Sequence, residues 1–448
     1  MKFYPLHIQL PIYRLTYPIL LSFIILFSLS NDSIAQLRAD AYYRFESGLT
    51  LSSPQQFLYN RNLVQTGLRH NHGQLDSRLA VRVRQNMQAP FSESFDLLVR
   101  EAYLNLALDQ VDLRAGRQMI VWGRSDASQI HDIITPMDLS EFLTQDFTDL
   151  RKGVTALSLK YYRNDHTLEM VYLPFRESSS LPRPDSRWSS FPDLEANYTH
   201  TKIESYRLSD YQFAARFIGR PSLNLDLEAG VFHVYSPSPA LKKNVGTFFP
   251  VFTLEPEYYR TTALMFGAEL RTGPTTALVS ETAFWLDRKF DFVPVSLRNS
   301  NTAPGIMLPD ILDANRVHFL KSADLLQSMI GIRRDFSNSA ISVQYSMEWI
   351  PNHDQNLLQD EYFHFASFLY SGSDATQKLR YRILSRYHFN ANDFWLNPDL
   401  TYVPRDALHL GIGLHLFGGD SNRENYGHLN FGRFGQNTFG YVKLTAYW

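Results

Sequence analysis

Arg78, Arg82 and Arg84 occupy even positions of a segment whose odd positions, Leu79, Val81 and Val83, are apolar. A second basic set, Lys378, Arg380, Arg382, Arg386 and His388, alternates with Tyr381, Ile383 and Tyr387. Successive side chains of an extended strand point to opposite sides, so each set lines one face. A ladder of guanidinium groups facing confined water favours anions. Acidic residues on similar segments, Glu101, Asp226, Glu228 and Glu348, leave open a balanced interior whose charges only keep it hydrated.

A third concentration of charge does not alternate. Residues 114–152 lie between two alternating segments and carry Gly116, Trp122, Gly123 and Pro136. Within them Arg117, Arg124 and Arg151 can pair with Asp126, Asp132, Asp138 and Asp149. Such pairs would pin a loop against a wall, while Trp122 and Phe142 would offer an apolar contact to a greasy solute. A hairpin connection normally needs only a few residues. The stretch 116–152 is therefore expected to fold into the lumen of a barrel and constrict it. The alternative is an external cap held by the same pairs.

Other chemistry finds little support. His131, Asp132 and Asp138 lack a spacing that specifies a metal site, and Asp354 and Asp360 lack the pattern of a calcium loop. His409 with His415, and Ser385 with His388, do not assemble a nucleophile, a base and an orienting group. No nucleophile elbow or phosphate-binding glycine motif stands in a supporting strand-to-helix context. No catalytic residue, metal or cofactor is expected, and the chain is read as a non-enzyme, a barrel hydrolase being the last alternative.

These residues must be positioned by strands. Leu223, Leu225, Leu227, Ala229 and Val231 alternate with Asn224, Asp226, Glu228 and Gly230. Ile341, Val343, Tyr345, Met347 and Trp349 alternate with Ser342, Gln344, Ser346 and Glu348. Aromatics make up 14% of the chain, with 25 Tyr and 32 Phe, and Cys is absent. Past the N-terminus no apolar run is long enough for a spanning helix, so a membrane must be crossed by strands. Short connections such as 108–110, 164–166 and 390–392 alternate with long ones such as 177–205, 236–255, 290–321 and 351–376. Outer-membrane barrels sort short turns and long loops onto opposite rims in this way.

Segments of strand character number 17, from 38–49 to 437–448. Bacterial single-chain barrels have an even count. With 38–49 discounted as a lead-in, the fold class is all-β: a transmembrane antiparallel barrel of about 16 strands, 18 being the alternative. A barrel of that size encloses an aqueous channel.

Residues 1–35 read as a signal peptide, with an apolar core at 17–29 and small residues Ser33 and Ala35 before the cleavage point. Residues 36–448 form the barrel. Near-neutral net charge, −2, argues against a nucleic-acid partner. The chain closes on Val442, Leu444, Ala446 and Trp448, one apolar face ending in an aromatic.

These features resemble Gram-negative outer-membrane porin-like barrels. The box GRQMIVWGRSD at 116–126, followed by ITPMD at 134–138, is similar to one in a poorly characterised group of such proteins. Some of that group stand beside inner-membrane RND-type exporters of lipids or other amphiphiles. The resemblance implies an outer-membrane location, contact with outer-membrane lipid, and Trp448 as the signal read by the outer-membrane assembly machinery. It also raises an inner-membrane exporter as a partner. The leading expectation is a channel for a small or amphiphilic solute, its lumen constricted by 116–152. An accessory barrel handing lipid-like cargo to or from an exporter is the alternative.

Overall fold

The computed structural model describes residues 37–88, 94–182, 186–189, 207–236, 239–245, 252–292, 320–421 and 430–448. The signal peptide read at 1–35 lies outside these residues.

Strand β1 (Leu37–Thr50) is followed by β2 (Phe57–His72), β3 (Leu75–Asn86), β4 (Phe95–Ala107) and β5 (Val111–Gln118). The loop after β5 contains one helical turn, α1 (Phe147–Leu150). Then come β6 (Val154–Arg163), β7 (His166–Leu173), β8 (Gln212–Ser222) and β9 (Leu225–Tyr235). A separate hairpin, β10 (Ala240–Val245) with β11 (Phe252–Glu257), interrupts the series. It resumes with β12 (Arg260–Arg271), β13 (Thr276–Asp291), β14 (Leu320–Asp335), β15 (Ser339–Trp349) and β16 (Tyr362–Ser373). The last four are β17 (Leu379–His388), β18 (Asp393–Arg405), β19 (Leu408–Gly419) and β20 (Phe439–Tyr447). All but the hairpin form one antiparallel 18-stranded sheet. It closes where β1 pairs with β20, Tyr42 opposite Tyr447 and Thr50 opposite Phe439. Closure leaves no edge strand, each of the 18 being paired on both sides.

The count of about 16 is corrected to the 18 held as alternative, for two reasons. The segment at 38–49 is a full strand, paired on both sides. The stretch 351–376, read as a loop, contains β16. Aromatic residues on both faces of β16, Phe363 and Phe365 inward and Tyr362 and Phe368 outward, hide the polar–apolar contrast that marks other strands. The connection 390–392, read as a short-rim turn, lies on the same rim as the long loops, because β16 shifts the parity.

Register assigns the faces. Paired residues share a side, so Arg82, Gln65 and Tyr42 face inward together while Val64, Val81 and Val83 face outward. The outward set is apolar and open: Ile330, Ile412, Phe266 and Val442 are more than half exposed. Such a belt on every strand suits hydrocarbon outside and polar contents inside. Trp448 continues the outward set of Val442, Leu444 and Ala446.

Candidate functional site

The wall is lowest where the loop leaves it. β5 and β7 have 8 residues each, against 16 in β2, β13 and β14. β5 stops at Gln118 and β6 starts at Val154, its direct partner. The chain between them turns inward rather than extending the hairpin. Gly123 has φ +103° and sits against the Glu281 carboxylate, where a Cβ would come within 3.0 Å. The backbone N–H of Arg124 donates to that carboxylate. A side chain at position 123 would face both a disfavoured backbone conformation and this close approach.

On both sides of this turn the loop contributes to a packed apolar core against one arc of the inner wall. Ile120, Trp122, Ile130, Ile133 and Ile134 lie against Val154, Val171, Leu173, Phe232, Met265, Val279, Trp285 and Met329 of the inner wall. Trp122 is 1% exposed, meets Phe232 at 5.3 Å between ring centres, and carries the Arg216 guanidinium 4.5 Å above its ring. Fully burying one such side chain contributes about 1.5–3 kcal/mol, so these five residues hold the loop by more than any one ion pair does. Around them, Arg124 reaches Glu228 and Glu269, each at 3.1 Å. His131, fully buried, meets Glu228 at 2.9 Å through Nδ1 and the Thr282 carbonyl at 3.0 Å through Nε2.

The other half of the loop is held by charge. Asp149 accepts from Arg44 of β1 at 2.5 Å, from Arg82 of β3, and from Arg100 of β4 at 3.4 Å. Asp146 accepts from Lys443 of β20 at 2.6 Å. Arg61 of β2 bridges Glu46 at 2.5 Å and the loop's Glu141. Arg84 meets Asp138 at 3.3 Å. Burial opposes the charge on Asp149, but Arg82 and Arg44 override it and hold its carboxyl below the usual carboxylate range. Beyond these pairs, Phe142 enters an aromatic cluster with Trp188, Phe417, Phe431 and Phe434 at the long-loop rim. The loop thus touches inward-facing groups from opposite arcs of the wall.

Arg78, Arg82, Arg84, Arg380, Arg382 and Arg386 stand on inward positions of their strands, Lys378 lies just before β17, and the first ladder is neutralised. Arg78 pairs with Glu101 at 2.7 Å, Arg82 with Asp149, and Arg84 with Asp96 and Asp138. In the second, Arg382 donates to Asn397 at 2.9 Å, and Arg386 lies 3.6 Å above the Phe365 ring and donates to the Ala127 carbonyl. Arg380 stands opposite Thr401, inward and exposed. Arg151 pairs with Asp132. Asp126 uses its backbone N–H toward Gln344 at 2.9 Å, and burial pushes its carboxyl up.

Two readings change. Arg117 shares the outward set of β5 with Leu113 and Ala115, because Gly116 and Gln118 take the inward positions. It donates to the Val99 carbonyl at 2.6 Å and to Glu177 at 2.7 Å, covering the edge of β4 left by the short β5. Trp122 and Phe142 are core, not surface offered to a solute. Arg44, Arg61, Arg100 and Lys443 were not among the candidate site residues. The first two and Lys443 stand on alternating segments, where parity alone would have found them. Arg100 was masked by a bulge in β4 between the pairs Ala80–Glu101 and Val81–Val99, which turns Arg100 and Glu101 inward together.

Three open basins lie on the short-turn side of the loop. One of about 480 Å³ is bounded by Arg124, Asp126, Arg333 and Ser342. One of about 290 Å³ lies under Asp146, walled by Arg44, Arg382, Lys443 and Tyr447. Another of about 290 Å³ lies under Met119 and Val121, beside Arg114 and Lys160. The loop is the common roof of all three.

The model of a family described as "Protein of unknown function (DUF1302)" matches residues 35–405. Curated proteins provide no match. Among solved structures the chain is similar to Pseudomonas aeruginosa OccK8 (OprE), at 8% identity and TM-score 0.54, covering 93% of this chain and 98% of that one. It is also similar to Acinetobacter baumannii OccAB3, at 9% identity and TM-score 0.51, covering 93% and 100%. P. aeruginosa OccD3 (OpdP) gives 8% identity and TM-score 0.51 over 93% and 92%. At such identities the likeness is one of fold: the chain is a porin-like 18-stranded barrel.

Proposed function

The chain belongs to this family of unknown function, and we propose that it is an outer-membrane channel whose lumen is constricted by the loop 116–152. One observation carries the reading: a closed barrel with an apolar exterior holds, across its interior, a loop pinned by Asp149 and Asp146 on one side and by Arg124 and His131 on the other. A wall this wide encloses water unless something fills it. The apolar half is filled, so the route for a solute follows the charged arc from β15 through β20 to β3. Arg380, Arg382, Asp399, Lys443 and the Asp146 end of the loop border that route. Cations and acids are interleaved along it, which suits a small polar solute and gives weak ion preference. Of the two readings of Arg78, Arg82 and Arg84, balanced charge rather than anion preference fits this route, because each of these residues has an acidic partner.

Reconstitution of the purified chain in planar lipid bilayers tests the proposal. Discrete conductance steps, with a reversal potential near zero in a salt gradient, are expected. Silence across the voltage range, at protein levels where a known porin conducts, would sink it.

A further inference from the structure

His131 is the only histidine of the loop, and its position decides its protonation state. Nε2 faces a backbone carbonyl, that of Thr282, at 3.0 Å. A carbonyl oxygen only accepts, so Nε2 must carry a proton. Nδ1 faces Glu228 Oε1 at 2.9 Å. Glu228 also meets Arg124 at 3.1 Å and Arg216 at 3.4 Å. Two guanidinium groups hold a carboxylate ionised, so it too accepts and Nδ1 must also carry a proton. An imidazole with both nitrogens donating is an imidazolium.

We propose that His131 is a positioning residue that holds the 123–132 segment of the loop to the β9–β13 wall as an imidazolium, so that the hold weakens as pH rises. This rests on the reading that the loop governs passage.

The groups facing His131 agree with this. From β9 comes Glu228 and from β13 Glu281, while Arg124 approaches from the loop itself. Around this layer stand Arg216 of β8, Glu169 of β7 and Glu269 of β12, each already engaged with an opposite charge. Acids outnumber cations in the inner layer unless His131 is charged. Burial alone would lower the histidine's pKa, but the Glu228 hydrogen bond and the nearby Glu281 carry it upward. The sign follows. A histidine raised in the folded state contributes its stabilisation in full below its unfolded value, about 6.5, and loses it as pH climbs through the raised value. Once neutral, the ring has one proton for two acceptors. One contact then sets lone pair against lone pair in a dry site. The apolar packing of Ile130, Ile133 and Ile134 remains, so the expected result is more frequent local release rather than ejection of the loop.

Thiol labelling reads this release without relying on conduction. Ser128→Cys would report the segment and Ser337→Cys, in an exposed turn, would supply the reference, so that the ratio cancels the pH dependence of the thiol. The ratio in the otherwise native barrel should rise roughly tenfold from pH 6 into the alkaline range, about 1.4 kcal/mol. With His131→Gln, which stays neutral, the ratio should be high and flat. With Glu228→Gln, which keeps a hydrogen bond but removes the charge, the rise should begin at lower pH. A flat ratio in the native barrel, or the native rise persisting in His131→Gln, overturns the proposal. If His131→Gln gives no heat-modifiable folded band, an unshifted profile in Glu228→Gln overturns it instead. A conduction failure with the pH profile intact would leave the anchor standing and refute only the channel.

Discussion

Asp149 is the acidic centre of the loop's charged half: one carboxylate faces Arg44, Arg82 and Arg100, drawn from three strands. Removing it leaves three guanidinium groups confined together with Glu46 and Asp146 as the remaining acids near Arg44. Losing one partner from a buried charged network typically costs about 3 kcal/mol or more. Asp149→Asn should therefore lower the temperature at which the folded band disappears on heat-modifiability gels. Because the Asp149 carboxyl is held below its ordinary range, its contribution is complete above the unfolded value of about 3.9 and fades as pH falls through the folded value. Native barrel should thus lose heat resistance in acid, while Asp149→Asn should be less sensitive to acid. A variant as heat-resistant as the native chain, with the same acid profile, would contradict the role given to Asp149. The two ends of the loop then respond to opposite changes: acid weakens the Asp149 end, alkali the His131 end.

At the scale of elements, β16 is the sharpest test, since the alternation rule missed it. Its outward face carries Tyr362, Ala366, Phe368 and Tyr370, and Ser371 points inward opposite Arg382. An arginine on the lipid face costs roughly 2–4 kcal/mol near the midplane, so Ala366→Arg should cut the yield of folded barrel. Ser371→Glu should be tolerated and pair with Arg382. Equal yields for the two would place this segment outside the membrane, as first read. Most strands were legible because lipid and lumen impose opposite polarity on alternate residues, as in 223–231 and 341–349. β16 was not, because its inner face packs Phe363 and Phe365 with Arg386 and His388 and so looks apolar on both sides. Arg100 was missed because a bulge breaks parity at one residue, and no single-residue pattern announces a bulge. Asp126, Asp132, Asp138 and Asp149 were legible as pairing candidates and Arg151 as a partner of Asp132, but Glu141, Asp146 and the distant partners were not. Arg44, Arg61 and Lys443 lie far away in sequence, and only closure of the barrel brings them to Asp149, Glu141 and Asp146.

Across the whole molecule the lumen is divided into two unlike parts. From β6 to β14 the upper inner wall is apolar and roofed by the loop's isoleucines and Trp122. From β15 round to β4 it carries charged residues below an aromatic cluster at the long-loop rim, and the loop is tied to it by ion pairs. On the proposed reading this division makes the loop a fixed constriction: its apolar side anchors it like a domain core, and ion pairs tie its acidic side to the opposite wall. Shortening it should therefore do two things at once. Single-channel conductance of the native barrel, compared with a deletion of residues 128–144, reads the constriction itself. The deletion takes away Ile130, Ile133, Ile134 and Phe142, so the folded band should disappear at a lower temperature, and the barrel that does fold should conduct several-fold more than the native one. Equal conductance from the two would mean that the loop caps the barrel without narrowing it.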